Sequence, residues 1–235
     1  MDDPWFTFQV FETLLSEKIT FHRFYFLANP KLSISRVIKL FLVYGKAQFL
    51  KFSLMYLYWN IFRNGKVKMM LNKNNIPFEE YYDSDLNNLC EKINQEECDL
   101  IVSINCNRLL PDNILSSAKI GAINLHQGSL PEYKGLMPIF YSLLAGEKTV
   151  GSSIHLMNNK FDSGEIISIK YLAVNQKEEY TTLWGKLNII GSKNLAEIIK
   201  KIIQDKSLQL AIKKNEGGKY YGIPTFSQIF KYLNR

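Results

Sequence analysis

The sequence predicts an α/β fold built on a mostly parallel sheet flanked by helices. Two apolar runs, CDLIVSINC at 98–106 and GAINLH at 121–126, have the composition of strands buried on both faces. Stretches of helical periodicity alternate with these runs and with other strand candidates, the pattern of a parallel sheet with helical crossovers. Polar residues follow both runs at once, in SINCNRLL and INLHQGSLP. In such sheets the ligand lies beyond the carboxyl ends of the strands, so the two segments should meet at one edge.

Taken in order, residues 6–15 carry apolar side chains at helical spacing, and ITFHRFYFL at 19–27 reads as a strand. Asn29-Pro30 ends it, and Ser33 or Ser35 can cap a long helix reaching about Phe62, bent at Gly45. Asn64-Gly65 signals a turn, and the basic residues 66–73 extend a helix. IPFEEYY is a strand candidate, 85–95 a helix, and 111–117 a short helix between the two buried strands. Residues 138–144 are helical, GSSIHLMN and GEIISIKYLAV are strands, and 180–204 is a long amphipathic helix. Two units follow from this pattern, a catalytic domain over 1–205 and a C-terminal tail extension over 206–235 that is rich in Gly, Lys and aromatic residues.

Composition narrows the class. Of 235 residues, 46% are apolar and 22% charged, enough for a core and too few charges for a disordered chain. The net charge is +7, but residues 31–78 hold nine Lys or Arg and no Asp or Glu, leaving −2 for the rest. That concentration does not indicate a nucleic-acid partner, which would need basic residues beside a binding module. Three cysteines, Cys90, Cys98 and Cys106, lack metal-type pairing and read as reduced thiols of a cytoplasmic protein. Neither a secretory leader nor a run long enough to span a bilayer is visible. A Gly-rich dinucleotide fingerprint is also missing, so a nicotinamide cofactor is not expected.

The chemistry concentrates in INLHQGSLPEYKG. Asn124 and His126 lie two apart at a strand end, so their side chains share a face. An amide donor beside an imidazole can hold a developing oxyanion and assist a proton transfer. On the pair alone, the plainer alternative is a turn cap and a hydrogen-bonded loop histidine. Asp162 stands in NNKFDSGEII, a turn in which Gly164 permits tight backbone geometry. It gains meaning if it faces His126, because a carboxylate orients an imidazole and raises its basicity. His155 reads as a packed or edge histidine.

Asn124, His126, Leu130, Pro131, Gly135, Gly151, His155, Asp162 and Gly164, with 36 positions from His126 to Asp162, resemble the signature of the N10-formyltetrahydrofolate-dependent formyltransferases. The resemblance implies a Rossmann-like formyltransferase fold. By it, Asn124 and His126 stabilise the tetrahedral intermediate formed when an amine attacks the formyl carbon, and Asp162 holds His126 or a water that moves the proton. N10-formyltetrahydrofolate is the implied co-substrate, without a metal. Its pterin is expected against the backbone of Asn107, Arg108, Leu109 and Leu110, and of Asn158, Asn159, Lys160 and Phe161. Gly128, Ser129, Leu130, Pro131 and Gly135 would form the substrate loop.

Among relatives of this kind, the substrate expected here is a nucleotide-linked amino sugar of the sort used in O-antigen biosynthesis. The 31 residues after Gln204 are too few for the C-terminal domain of a methionyl-tRNA formyltransferase. The opening MDDPWFTFQV lacks the Gly- and Ser-rich phosphate loop of a glycinamide ribonucleotide transformylase, and Gly128 also suits the sugar branch. A glycinamide ribonucleotide formyltransferase-like enzyme and a degenerate, non-catalytic binding module are the alternatives. The family's first buried strand has no counterpart before Asp2, so that strand is expected to be missing or to lie upstream of Met1. The basic, aromatic segment 31–73 is expected to pack its inner side on the sheet. Its outer side would form a homodimer contact or lie near anionic phosphates, of the substrate or of a membrane surface.

Overall fold

A computed structural model describes residues 6–27, 33–61, 65–81, 86–106, 108–175, 178–208 and 213–234. The elements begin with α1 (Phe6–Ser16), β1 (Phe24–Leu27), α2 (Ile34–Tyr44), α3 (Lys46–Ile61), α4 (Lys66–Lys73), β2 (Phe78–Tyr81) and α5 (Leu86–Gln95). The middle of the chain forms β3 (Leu100–Ile104), α6 (Asp112–Leu115), β4 (Gly121–His126), β5 (Tyr133–Gly135), α7 (Pro138–Ala145), β6 (Thr149–Leu156) and β7 (Ile166–Ala173). It closes with α8 (Tyr180–Asp205), β8 (Lys219–Tyr221) and α9 (Phe226–Leu233).

The α/β class holds. β1 pairs with β2, β3 with β4 and β5 with β8, all parallel, while β6 joins β4 and β7 antiparallel. The four-stranded sheet runs β3-β4-β6-β7, and β1-β2 forms a separate ladder. Among the described residues no strand links β1 to β3 through hydrogen bonds. Helices span the break instead. Val10 and Leu14 of α1 pack with Ile123, Leu125 and Ile154, while Phe8 and Phe11 of the same helix pack with Phe26. In a further cluster, Leu89, Cys90 and Ile93 of α5 join Tyr25 and Leu27 of β1 to Ile101 of β3.

α8 ties the domain together because its apolar positions recur along one side for 26 residues. Its first turns bury Leu183 and Leu187 against α7 and α9, and its later turns bury Leu195, Ile199 and Ile202 under β4 and β6. At Gly191 the helix runs so close to β6 that a Cβ would lie 2.2 Å from Ser152 Oγ.

Several elements differ from the sequence reading. The strand expected over 19–27 is confined to Phe24–Leu27, since Ile19 turns back into the core beside Leu14. The long helix is two helices, broken where Gly45 takes φ 77°. The inner side of α2 packs mainly on helices, Val43 lying in one cluster with Leu183, Leu187, Ile229 and Tyr232 of α8 and α9 and with Val150 of β6, while Val67 and Leu71 of α4 pack with Phe26 and Phe78 of the β1–β2 ladder. β5 and β8 went unread, being three residues each, and α9 went unread although Thr225 and Gln228 stand at capping-box spacing before its apolar positions. Through β8 and α9, residues after 206 pair with β5 and pack on α2 and α7.

α9 starts with a reciprocal cap. Gln228 N–H donates to Thr225 Oγ1 at 3.2 Å, and Thr225 N–H donates to Gln228 Oε1 at 2.8 Å. Thr225→Ala should therefore cost about 1 kcal/mol and lower the melting midpoint by about 2–4 °C. Thermal unfolding followed by circular dichroism measures it.

Candidate active site

β4 is flanked by β3 and β6, and its end carries Asn124 and His126 into the interior. Across the ladder Asn124 is paired with His155 of β6. The β6–β7 register shifts between Ile154 and His155, an irregularity of the kind that re-aims a side chain. His155 is 3% exposed and donates from Nδ1 to Leu156 O at 2.7 Å. That bond leaves Nε2 as the acceptor for Asn124 Nδ2 at 3.1 Å.

His126 is also buried. Its Nε2 lies 2.7 Å from the carbonyl of Tyr133, so Nε2 carries the proton and donates it. Nδ1 then faces Asp162 Oδ1 at 3.4 Å. The same carboxylate oxygen lies 3.5 Å from His155 Nε2, and Oδ2 accepts the Gly135 backbone N–H at 2.7 Å. One carboxylate thus stands between two imidazoles.

Electrostatics follow from this burial. Desolvation pushes His126 below its ordinary 6.5, against the pull of Asp162 and the Tyr133 carbonyl, so its resting form is neutral. Desolvation would raise Asp162, but the charge available on His126, the neighbouring His155 ring and the Gly135 N–H outweigh it and bring the carboxyl down to about 2. The pull from His126 is full only once that ring is protonated. Near neutral pH the pair is therefore an anion beside a neutral base with one nitrogen lone pair turned towards it.

The loop between β4 and β5 is held from below. Ser153 Oγ donates to Gly128 O at 2.6 Å and accepts Leu130 N–H at 3.1 Å. Leu130 is buried, a Cβ on Gly128 would lie 2.6 Å from His126 Nε2, and Ser129 Oγ sits over Gly151. Pro131 follows with its carbonyl against Gly218. Asp162 takes φ 48°, a left-handed conformation that an Asp tolerates better than most residues. Asn215 steadies it, donating from Nδ2 to Asp162 O at 3.0 Å and to Gly164 O at 2.7 Å.

The two segments expected at the pterin lie side by side. Met157 packs in the cluster that buries Leu110, and Asn159 Nδ2 donates to Asp112 Oδ2 at 3.5 Å. Asn158 Oδ1 accepts from Lys160 N–H and Ser163 Oγ, which fixes the loop and turns its side chains outward. Arg108 is half-buried, while Leu109 and Phe161 are exposed. Leu110 serves the core instead of the surface, and Asn107 lies outside the described residues.

The sequence reading gave His155 a packing role only. It is packed, but it also contacts both Asn124 and Asp162. Its place in the Gly-x-x-x-His stretch was the available signal. Asn215 and Tyr220 carried none. Tyr220 lies over Gly135 and 6.1 Å from the Phe161 ring, so two exposed aromatic residues flank the cluster. Among the described residues no group of His, Cys, Asp and Glu is arranged to hold a metal ion.

The formyl transferase family model matches residues 62–199. A stretch of 113 residues is 38% identical to methionyl-tRNA formyltransferase from Enterococcus faecalis, covering 48% of this chain and 36% of that protein. The chain thus matches little more than a third of that relative's length. Glycinamide ribonucleotide transformylase 1 from Symbiobacterium toebii superposes with a TM-score of 0.63 at 13% identity, over 91% of this chain and 90% of that one. An N-formyltransferase from Helicobacter canadensis, solved with folinic acid and dTDP-3-aminofucose, gives a TM-score of 0.53 at 18% identity, over 71% of this chain and 62% of that one. With the family model spanning more than half of its length, from just before α4 through β7 and most of α8, the chain belongs to the formyl transferase family.

Proposed function

We propose that the protein transfers a formyl group from N10-formyltetrahydrofolate to the amine of a nucleotide-linked amino sugar, in the cytoplasm. The observation that carries the reaction is the Asp162 carboxylate set between His126 and His155, with Asn124 bonded to the second ring. Formyltetrahydrofolate supplies an activated formyl carbon. The amine adds to that carbon, and the formyl oxygen takes up negative charge. Asn124 keeps a second amide N–H for that oxygen, because its bond to His155 uses one of two. His126, held by Tyr133 through Nε2, turns Nδ1 towards Asp162 and becomes positive only as it takes up the proton that the carboxylate receives. Asp162, ionised far below neutral pH, accepts the ammonium proton directly or through a water. As the intermediate collapses, the bond to the folate nitrogen breaks, that proton passes to the departing nitrogen, and the amide is left with His126 and Asp162 restored.

The site suits a flat heterocyclic co-substrate. Leu109 and Phe161 expose apolar surface beside backbone polar groups, and the buried hydroxyl of Ser103, next to Asn124 in the ladder, has no partner among the described residues. The preference for a nucleotide-linked sugar draws support from the Phe161 and Tyr220 rings at the rim, which offer a stacking surface for a base. It is supported too by the bound sugar nucleotide named for the Helicobacter canadensis enzyme.

Incubation with N10-formyltetrahydrofolate and a panel of nucleotide-linked amino sugars, read by mass spectrometry, tests the proposal. Glycinamide ribonucleotide and methionyl-tRNA belong in the same panel, the latter because of the 38% identical relative. A product about 28 Da heavier in the sugar arm is expected, by the mass of CO. Formylation confined to the tRNA arm would replace the substrate and keep the reaction. A folate analogue at about a hundred times its Kd should also stabilise the native state by about 2.7 kcal/mol. A folded protein whose melting midpoint ignores saturating folate would sink the reading.

A further inference from the structure

Two helices carry apolar side chains into solvent. On α2, Ile34 is 81% and Ile38 45% exposed, and with Leu42 they form one stripe at four-residue spacing. On α9, Phe226, Phe230 and Leu233 are 51%, 71% and 52% exposed at spacing of four and three. The opposite faces are already satisfied, because Val43, Ile229 and Tyr232 lie in the core. Between the stripes runs an apolar groove of about 420 Å³, lined by Leu42, Phe226, Ser227, Ile229, Phe230 and Leu233. This is more contiguous apolar surface than a solvated helix pair needs.

The charge beside it has one sign. α2, α3 and α9 contain Arg36, Lys39, Lys46, Lys51 and Lys231, and no Asp or Glu. Lys39 Nζ lies 5.2 Å from the Phe226 ring centroid, a cation at the border of the apolar stripe. Long basic side chains beside exposed Phe and Ile are what an interfacial helix needs: rings at the acyl boundary and ammonium groups at the headgroup phosphates.

We propose that this α2–α9 face seats the protein on an anionic lipid surface. Charge complementarity selects the occupant. A second copy of the chain would bring the same basic fringe against itself, and like charges facing each other oppose that contact. Anionic headgroups neutralise the fringe while the acyl boundary receives Phe230 and Ile34. No helix among the described residues is long and apolar enough to cross a membrane, so the contact is peripheral. It does not depend on the substrate assigned to the active site.

The test is flotation of the full chain with phosphatidylcholine vesicles, with and without phosphatidylglycerol, over a salt series. Binding should need the anionic lipid and weaken as salt rises. Lys39→Gln and Lys231→Gln should each lower partitioning about fivefold, and Phe230→Ser about tenfold. None of the three side chains is buried, so melting midpoints should stay within a degree or so of wild type. Equal binding to neutral and anionic vesicles, or none to either, overturns the proposal. So does a dimer in sedimentation that Phe230→Ser dissolves, which would give the face to a second copy, or the capture of a purified acidic protein in preference to vesicles.

Discussion

Asp162→Asn should lower kcat/KM for formyl transfer about a thousandfold, within the range typical of a lost acid–base group. The substitution keeps the shape and the Gly135 hydrogen bond while removing the charge that faces both histidines. Loss of that charge leaves the amine proton without an acceptor and His126 without a counter-ion as it becomes positive. A pH profile separates this role from a structural one. In the wild type Asp162 is ionised down to about pH 2, so the carboxylate sets no limb in the neutral range. For stability, His126 and Asp162 act in the same sense, in different pH windows. The folded pKa of His126 lies below the ordinary 6.5, so the unfolded chain takes up a proton first as pH falls. Stability from the neutral ring is therefore complete above about 6.5 and declines as pH drops towards the folded value. Asp162 adds stability that is present above its ordinary 3.8 and lost towards 2. Near-normal turnover in the Asp162→Asn variant would remove this carboxylate from the reaction.

Gly164→Ala should be among the most damaging small changes. A Cβ there would lie 1.8 Å from the carbonyl oxygen of Leu156, a backbone atom that cannot swing aside. Either β6 or the turn carrying Asp162 must move. The expected loss is about 3 kcal/mol or more, with a fall of roughly 6–12 °C in melting midpoint for a chain of this size. Activity should fall further than stability explains, because the same shift pulls Asp162 from His126. Urea unfolding alongside steady-state kinetics resolves the two losses. A well-folded, fully active Gly164→Ala variant would mean that the loop does not fix the carboxylate.

How much of this was legible depended on where each constraint lives. The buried strands 100–104 and 121–126 could be read because a strand covered on both faces must be apolar throughout. Asn124, His126 and Asp162 stood out only through the resemblance to the formyltransferase signature, their residue types alone leaving a turn cap and a loop histidine open, and the fold brings all three to one place. His155 was undervalued because neighbouring isoleucine and leucine make it look like a core residue, while its contacts come from strand pairing and a register shift. Asn215 was illegible. Its partners are backbone carbonyls 51 and 53 positions earlier, and backbone atoms leave no imprint on side-chain sequence. β8 escaped notice because a three-residue strand in a Gly- and Lys-rich stretch gives no periodic signal. The packing of α2 on helices was also hidden, since periodicity shows which face is apolar and not what that face meets.

The site is assembled from distant parts of the chain. Asn124 reaches His155 across 31 positions, Gly135 reaches Asp162 across 27, and Asn215 returns to the same loop across more than 50. Each contact closes a large loop, and the entropy of closing it is spent before the contact gives anything back. None of these contacts can stand alone as a local motif. While the chain grows, β4 and β6 can pair before residue 215 has been made, but Asn215 reaches Asp162 only after that. The loop that holds Asp162 therefore gains its full set of contacts only once the residues around Asn215 fold back onto it.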